Sequence, residues 1–192
     1  MKFIIEHLEP ELYEWCLIEY EHMSRIAGKS NLVFTNIKNK KDREKLKKYG
    51  AVEEKSISQL NFKKICVLSQ YSGKALKTSD KKNFDYFVFG GILGDNPAKK
   101  RTVELTRELE KAGLRFETRN LGEKQMPTDT AVYVAKKILD GKRFEDFKFV
   151  DELEVEINEN ECVNLNFRYV VDDGKLIINE RLIELLRNKK EF

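Results

Sequence analysis

Phe87–Asp95 reads FVFGGILGD, and Asn96-Pro97 follow it. The run YFVF over Tyr86–Phe89 has the apolar character of a strand buried on both faces. It enters Gly90-Gly91, then Gly94-Asp95, and a helix begins near Lys99. Open α/β sheets bind ligands outside the carboxyl ends of their strands, where glycines let the backbone come close. The stretch is not G-x-G-x-x-G and no G-K-[ST] follows, so it is neither a dinucleotide fingerprint nor a phosphate loop. Taken alone it is equally a tight connection capped by Asp95 or Asn96.

The same arrangement recurs on either side. Lys64–Leu68 is a buried-type strand that leads into LSQYSG at Leu68–Gly73. Arg115–Asn120 is a strand that leads into RNLGEKQMPTDTA at Arg119–Ala131, where Leu121-Gly122 turns the chain and Thr128 or Asp129 can cap a helix. Further out, Lys2–Leu8 and Asn31–Ile37 have strand character. Helical patterns cover Glu11–Ala27, Lys41–Tyr49, Lys99–Ala112 and Thr128–Leu139, with glycines at 28, 50, 113 and 141 closing them. This alternation predicts an α/β fold with a mainly parallel sheet and helices on both faces. Three loops at three strand ends would line one small-molecule cleft. After Gly141 the pattern changes. Leu153–Ile157, Val163–Val170 and Leu176–Ile178 resemble strands, Asp172-Asp173-Gly174 is a turn, and Glu180–Arg187 is a closing helix. A small β-rich C-terminal extension is expected there. We expect one domain over residues 1–192, in segments 1–60, 61–145 and 146–192.

Composition narrows the function classes. The 192 residues are 41% hydrophobic, enough for a core without staples. Charged residues reach 36%, yet 36 basic and 33 acidic residues leave a net charge of +3, so a globally basic nucleic-acid binder is not indicated. High charge with few glutamines leans toward a thermophile's composition. No apolar run suits a membrane span, and acids interrupt the start where a signal peptide needs an apolar stretch, so a soluble cytoplasmic protein is expected. Cys16, Cys66 and Cys162 form no C-x-x-C pair and are expected as buried thiols. With only His7 and His22 available, no metal site is expected, and Cys–His or Ser–His catalysis has little support. Charge is also uneven. Lys38–Lys48 holds seven basic residues against two acidic, Glu145–Glu161 holds eight acidic against one lysine, and residues 1–23 hold six glutamates. Each suits a solvated face; together they also suit a bipolar surface that could meet phosphate or a basic peptide.

Glu19 breaks its own helix pattern. Leu12, Trp15, Cys16, Met23 and Ile26 share a face at helical spacing, and Glu19 falls inside that stripe. A carboxylate there must be paired, neutralised or turned toward a cleft. His22 lies nearer the helix edge and is expected at the surface.

FVFGGILGDNP, then Arg101-Thr102, then LGEKQMPTDTAVYVAKKILDGKRFED, then NFRYV together resemble the SPOUT-type methyltransferases that use S-adenosylmethionine. The match runs in order through residues 66–170. Within the family it is similar to the branch that holds a yeast ribosomal-protein arginine methyltransferase and archaeal predicted RNA methyltransferases. Pro127 departs from the small polar residue expected there. The resemblance implies a trefoil knot toward the C-terminal side of the sheet. It also implies that S-adenosylmethionine, with S-adenosylhomocysteine as product, meets Leu68 and Ser69, then Gly90, Gly91, Ile92, Leu93 and Gly94, then Leu121, Gly122, Gln125 and Met126. An arginine acceptor would be held by carboxylates, for which Glu19 and Asp95 are the candidates, with Arg101 orienting Asp95. The acceptor expected first is an arginine of a ribosomal protein. The alternative is rRNA or tRNA, with contact through Lys38–Lys48 and with Lys99, Lys100 and Arg101 near the reaction. A third reading is a non-catalytic S-adenosylmethionine-binding ribosome-assembly factor. A monomer, its N-terminal segment shaping the acceptor pocket, is favoured over a knot-mediated homodimer.

Overall fold

The computed structural model describes residues 1–91, 101–158 and 161–188. Strands β1 (Lys2–His7), β2 (Leu32–Thr35), β3 (Ala51–Val52), β4 (Ile65–Leu68), β5 (Tyr86–Gly91) and β6 (Phe116–Arg119) form one sheet in the order β3-β2-β1-β5-β4-β6. Every pairing in it is parallel. Around it lie α1 (Glu14–Ala27), α2 (Lys40–Leu46), α3 (Asp80–Asn83), α4 (Arg101–Lys111) and α5 (Thr128–Leu139).

Alternation along the strands sends side chains to two cores. Phe3, Ile5, Phe34, Phe87 and Phe89 meet Cys16, Tyr20 and Met23 of α1 and Val132, Ala135 and Ile138 of α5. Ile4, Val33, Val67 and Val88 meet Leu105 and Leu109 of α4 on the other face. Both faces are therefore covered, as the apolar runs predict. Full burial of each such aliphatic or aromatic side chain stabilises by about 1.5–3 kcal/mol.

Element ends follow local chemistry. α1 starts at Glu14 rather than Glu11, because Tyr13 at its N-cap is extended and supplies no side-chain bond to the first turn. Gly28 ends it at φ 84°, a conformation that costs side-chain-bearing residues strain. α2 begins under Asn39, whose side chain accepts from Lys41 N at 2.8 Å. Its charges are partly matched at home, by Lys45 with Asp42, Lys47 with Glu44 and Arg43 with Glu54.

The C-terminal part differs from expectation. Val163–Val170 is not a single strand. β7 (Lys148–Val150), β8 (Leu153–Asn158), β9 (Glu161–Leu165), β10 (Tyr169–Asp172) and β11 (Lys175–Leu176) precede α6 (Glu180–Asn188). β8 and β9 make an antiparallel hairpin, while β11-β10-β7 is a separate antiparallel sheet. The break falls at residues 166–168, where Phe167 N donates to Leu165 O and Arg168 N to Gln125 O, both at 2.9 Å. The hairpin and α6 close over Ile18 of α1 through Val155, Leu182 and Leu186. Cys16 and Cys66 are buried, and burial pushes both thiols up to about 12. Cys162 corrects the expectation. It is exposed on the hairpin, opposite Glu156. Among the described residues no helix is long and apolar enough to cross a membrane.

Candidate functional site

β4 sits between β5 and β6, with Leu68 level with Phe89 on one side and Arg119 on the other. Their three following segments therefore leave the sheet side by side. Ser69 N donates to Arg119 O at 2.8 Å. Asn120 then ties two of the segments together. Its N–H reaches Lys74 O at 2.8 Å, its C=O accepts from Leu76 N at 2.9 Å, and its Nδ2 donates to Ser72 O at 2.7 Å. Its Oδ1 accepts from Gly122 N at 3.1 Å, which sets the next turn. Below, Asp80 grips Arg119 through two bonds, Nη2 to Oδ1 at 3.0 Å and Nε to Oδ2 at 3.1 Å. This bidentate pair fixes the exit of β6.

The segments enclose a cleft. Leu68, Ser69, Gly90, Leu121, Gly122, Gln125 and Met126 line it, as does Arg101 at the start of α4. Gly91 pairs with His7 at the end of β5. Ile92, Leu93, Gly94 and Asp95 lie outside the described residues, as do Lys99 and Lys100. The lining also includes Gln70, Tyr71, Phe89, Lys124 and Ala131, to which sequence analysis gave no role of their own, together with Thr102 and Thr128. They adjoin the expected residues along the same chain segments, Gln70, Tyr71 and Lys124 in the loops and the others on β5, α4 and α5. Two glycines shape the walls. A Cβ on Gly90 would stand 3.3 Å from Thr102 Oγ1. Gly122 adopts φ 89°, and a Cβ there would come within 2.8 Å of Phe144 Cζ. Arg101 is tethered to Glu9, Nη1 to Oε1 at 2.5 Å, which joins the N-terminal segment to the cleft wall.

Behind α5, which supplies Thr128 and Ala131 to that wall, α1 carries Glu19. Its side chain is 1% exposed, and neither carboxylate oxygen has a hydrogen-bond partner. Burial, reinforced by the charge of Asp129, pushes its carboxyl well above the usual carboxylate range. Glu19 is not among the residues lining the cleft. Tyr169 of β10 also buries a hydroxyl without a partner, and burial, then Asp129 and Glu19, raise it. His22 corrects its expectation. It is half-buried, with Nδ1 2.7 Å from Asp129 Oδ2. The other Asp129 oxygen accepts Thr130 N at 2.6 Å. The expected cap by Thr128 or Asp129 is corrected: Pro127 holds the N-cap position with no side-chain bond, and Asp129 stands inside the first turn. Beside β1, His7 Nδ1 lies 2.8 Å from the Tyr20 hydroxyl. Among the described residues no group of three His, Cys, Asp or Glu side chains could hold a metal ion.

Comparison with known proteins places this geometry among relatives. A family profile described as "Protein arginine N-methyltransferase SFM1-like" matches residues 2–191. Protein arginine N-methyltransferase SFM1 of Saccharomyces cerevisiae is 37% identical over 204 residues, covering 97% of this chain and 94% of that protein. The crystal structure of yeast SFM1 complexed with S-adenosylmethionine superposes with a TM-score of 0.87 at 36% identity, covering 97% of this chain and 89% of that one. The dual-specific Trm10 of Thermococcus kodakaraensis shares the fold, with a TM-score of 0.57 at 20% identity over 76% of this chain and 96% of that one.

Proposed function

The chain belongs to the SFM1-like protein arginine N-methyltransferases, and from that premise we propose that it methylates an arginine of a protein from S-adenosylmethionine. The cleft residues suit that cofactor. Gly90 and Gly122 let the walls pack closely against Thr102 and Phe144, Leu68, Leu121 and Met126 offer apolar contact, and Ser69 and Gln125 offer polar edges. When bound, S-adenosylmethionine supplies an electrophilic methyl: the acceptor nitrogen's lone pair forms the N–C bond, the S–C pair returns to sulfur, and one N–H proton leaves.

The protein's own work is to position and to complement charge. A guanidinium arrives protonated, with a pKa above 12. Glu19 is the group we assign to meet it. The observation that carries this reading is a wholly buried carboxyl with both oxygens unpartnered, one helix behind the cleft wall. Such a group costs stability unless a ligand satisfies it. Arg101, tied to Glu9, shapes the mouth. The finer expectations stand as proposals: a ribosomal protein as acceptor, a cytoplasmic location, a knot around the cleft and a monomeric state. The bonds from Asn120 to the 72–76 segment support the threading. Among the described residues the large apolar side chains found exposed are Met1, Tyr13, Tyr71 and Val150, far apart in the sequence, and this supports the monomer.

The test is transfer of radiolabelled methyl to ribosomal fractions, split by protease and nuclease, with acid hydrolysis of the product. Label in methylarginine that protease releases supports the reading. Label released by nuclease would make RNA the acceptor. No label, with S-adenosylmethionine bound, would point to a non-catalytic factor.

A further inference from the structure

Three buried polar groups from three elements come together behind the cleft: Glu19 of α1, Asp129 of α5 and Tyr169 of β10. Glu19 and Tyr169 hold three unpartnered atoms. A protein ordinarily leaves few such atoms, and each asks for an explanation. A guanidinium has five N–H donors in a planar fork. It would give partners to the Glu19 oxygens and bring a positive charge to a place where two carboxyls otherwise repel. A lysine ammonium offers no fork, and a neutral urea group no charge.

We propose that Asp129 is the second carboxylate of the acceptor site and that His22 is its positioning residue and the outlet for the released proton. The inference rests on the arginine reading above and adds two residues to it. Asp129 is held from both sides, by Thr130 N on one oxygen and His22 Nδ1 near the other. His22 connects this interior to solvent, since it faces a surface groove with Arg25 of its own helix and Tyr133, Lys136 and Lys137 of α5. Lys136 is matched by Asp140, and Tyr133 and Lys137 by Asp172. From the interior side, Glu19 and Tyr169 act on Asp129 among the described residues.

The protons balance over a cycle. With both oxygens buried and unpartnered, Glu19 would hold a proton in the free site. Entry of a guanidinium displaces it, and it leaves by Asp129 and His22. Methylation then frees one N–H proton, which returns to Glu19. The product keeps its positive charge but loses half of its anionic clamp, which favours release.

The experiment is calorimetry of an arginine-containing basic peptide with the S-adenosylhomocysteine complex, run in two buffers of different ionisation heat. It is paired with the pH profile of kcat for methyl transfer. The wild-type protein should bind the peptide, release a proton on binding, and reject its lysine and citrulline counterparts. Asp129→Asn should weaken peptide binding at least tenfold while S-adenosylhomocysteine affinity stays within twofold. His22→Ala should weaken peptide binding severalfold, lower kcat about tenfold and abolish the acidic limb of its pH profile. His22→Asn, which keeps a donor for Asp129, should restore peptide affinity without restoring that limb. If both His22 variants keep the wild-type rate and pH profile, or if Asp129→Asn binds the peptide normally, this inference is wrong and the arginine reading survives. If the wild-type protein neither binds the peptide nor methylates arginine, the arginine reading itself falls.

Discussion

Replacing Glu19 should make the protein more stable while destroying its activity. Two penalties attach to this side chain. The first is pH-dependent. Its folded carboxyl titrates well above its ordinary value of 4.5, so above that pH the unfolded chain is ionised while the folded one holds a proton. The unfolded state then binds fewer protons, and stability falls as pH rises. Each pH unit crossed in that condition costs about 1.4 kcal/mol. The loss stops once pH passes the folded value. The second penalty is the unsatisfied polar group itself, about 1–3 kcal/mol even when neutral. Glu19→Gln removes the first penalty and keeps most of the second. Glu19→Met removes both at similar volume. In urea unfolding at half-unit steps from pH 4 to 8, the wild-type protein should lose stability relative to Glu19→Gln as pH climbs. Glu19→Met should exceed Glu19→Gln by about 1–3 kcal/mol at every pH, or roughly 2–9 °C in Tm for a chain of this size. Glu6 also titrates above its usual value through burial, but it is common to all three proteins and cancels in the differences. A Glu19→Met protein less stable than the wild type would refute the argument, because it would mean that the carboxyl has a partner in the folded state.

Two further perturbations test the cleft. Gly122→Ala places a methyl at φ 89° and against Phe144, so it should cost about 1–2 kcal/mol from the left-handed backbone and weaken S-adenosylhomocysteine binding in calorimetry. Asp80→Asn splits the buried grip on Arg119 and should cost about 3–5 kcal/mol in urea unfolding, with loss of protection at the Asn120 amide in hydrogen exchange.

The sheet was legible because its strands are short, apolar and separated by helices that glycine closes. Thr128–Leu139 carries its own start and stop, and the helix has those bounds. Val163–Val170 misled because apolar alternation continues across residues 166–168, while the break depends on Arg168 bonding to Gln125, a residue 43 positions earlier. Cys162 misled because a lone thiol is usually buried, whereas alternation with Val163 and Leu165 puts it on the polar face of the hairpin, opposite Glu156. The cleft residues emerged from loops at strand ends and from the family motifs. The Asp129–His22 contact did not, since its partners stand 107 residues apart and each has an adequate local role, a helix start and a helix edge. Glu19 announced itself because its helix left it no local role.

The two outermost strands of the sheet are short. β3 has two residues, followed by Glu53, Glu54 and Lys55, and β6 has four, FETR, two of them charged. An edge strand presents unpaired amides that recruit other chains, and brevity and charge are the usual defences. This sheet is terminated on both sides, so heating or concentrating the protein gives it no template for edge-to-edge growth. Any second copy must approach through a helical or loop face rather than lengthen the sheet.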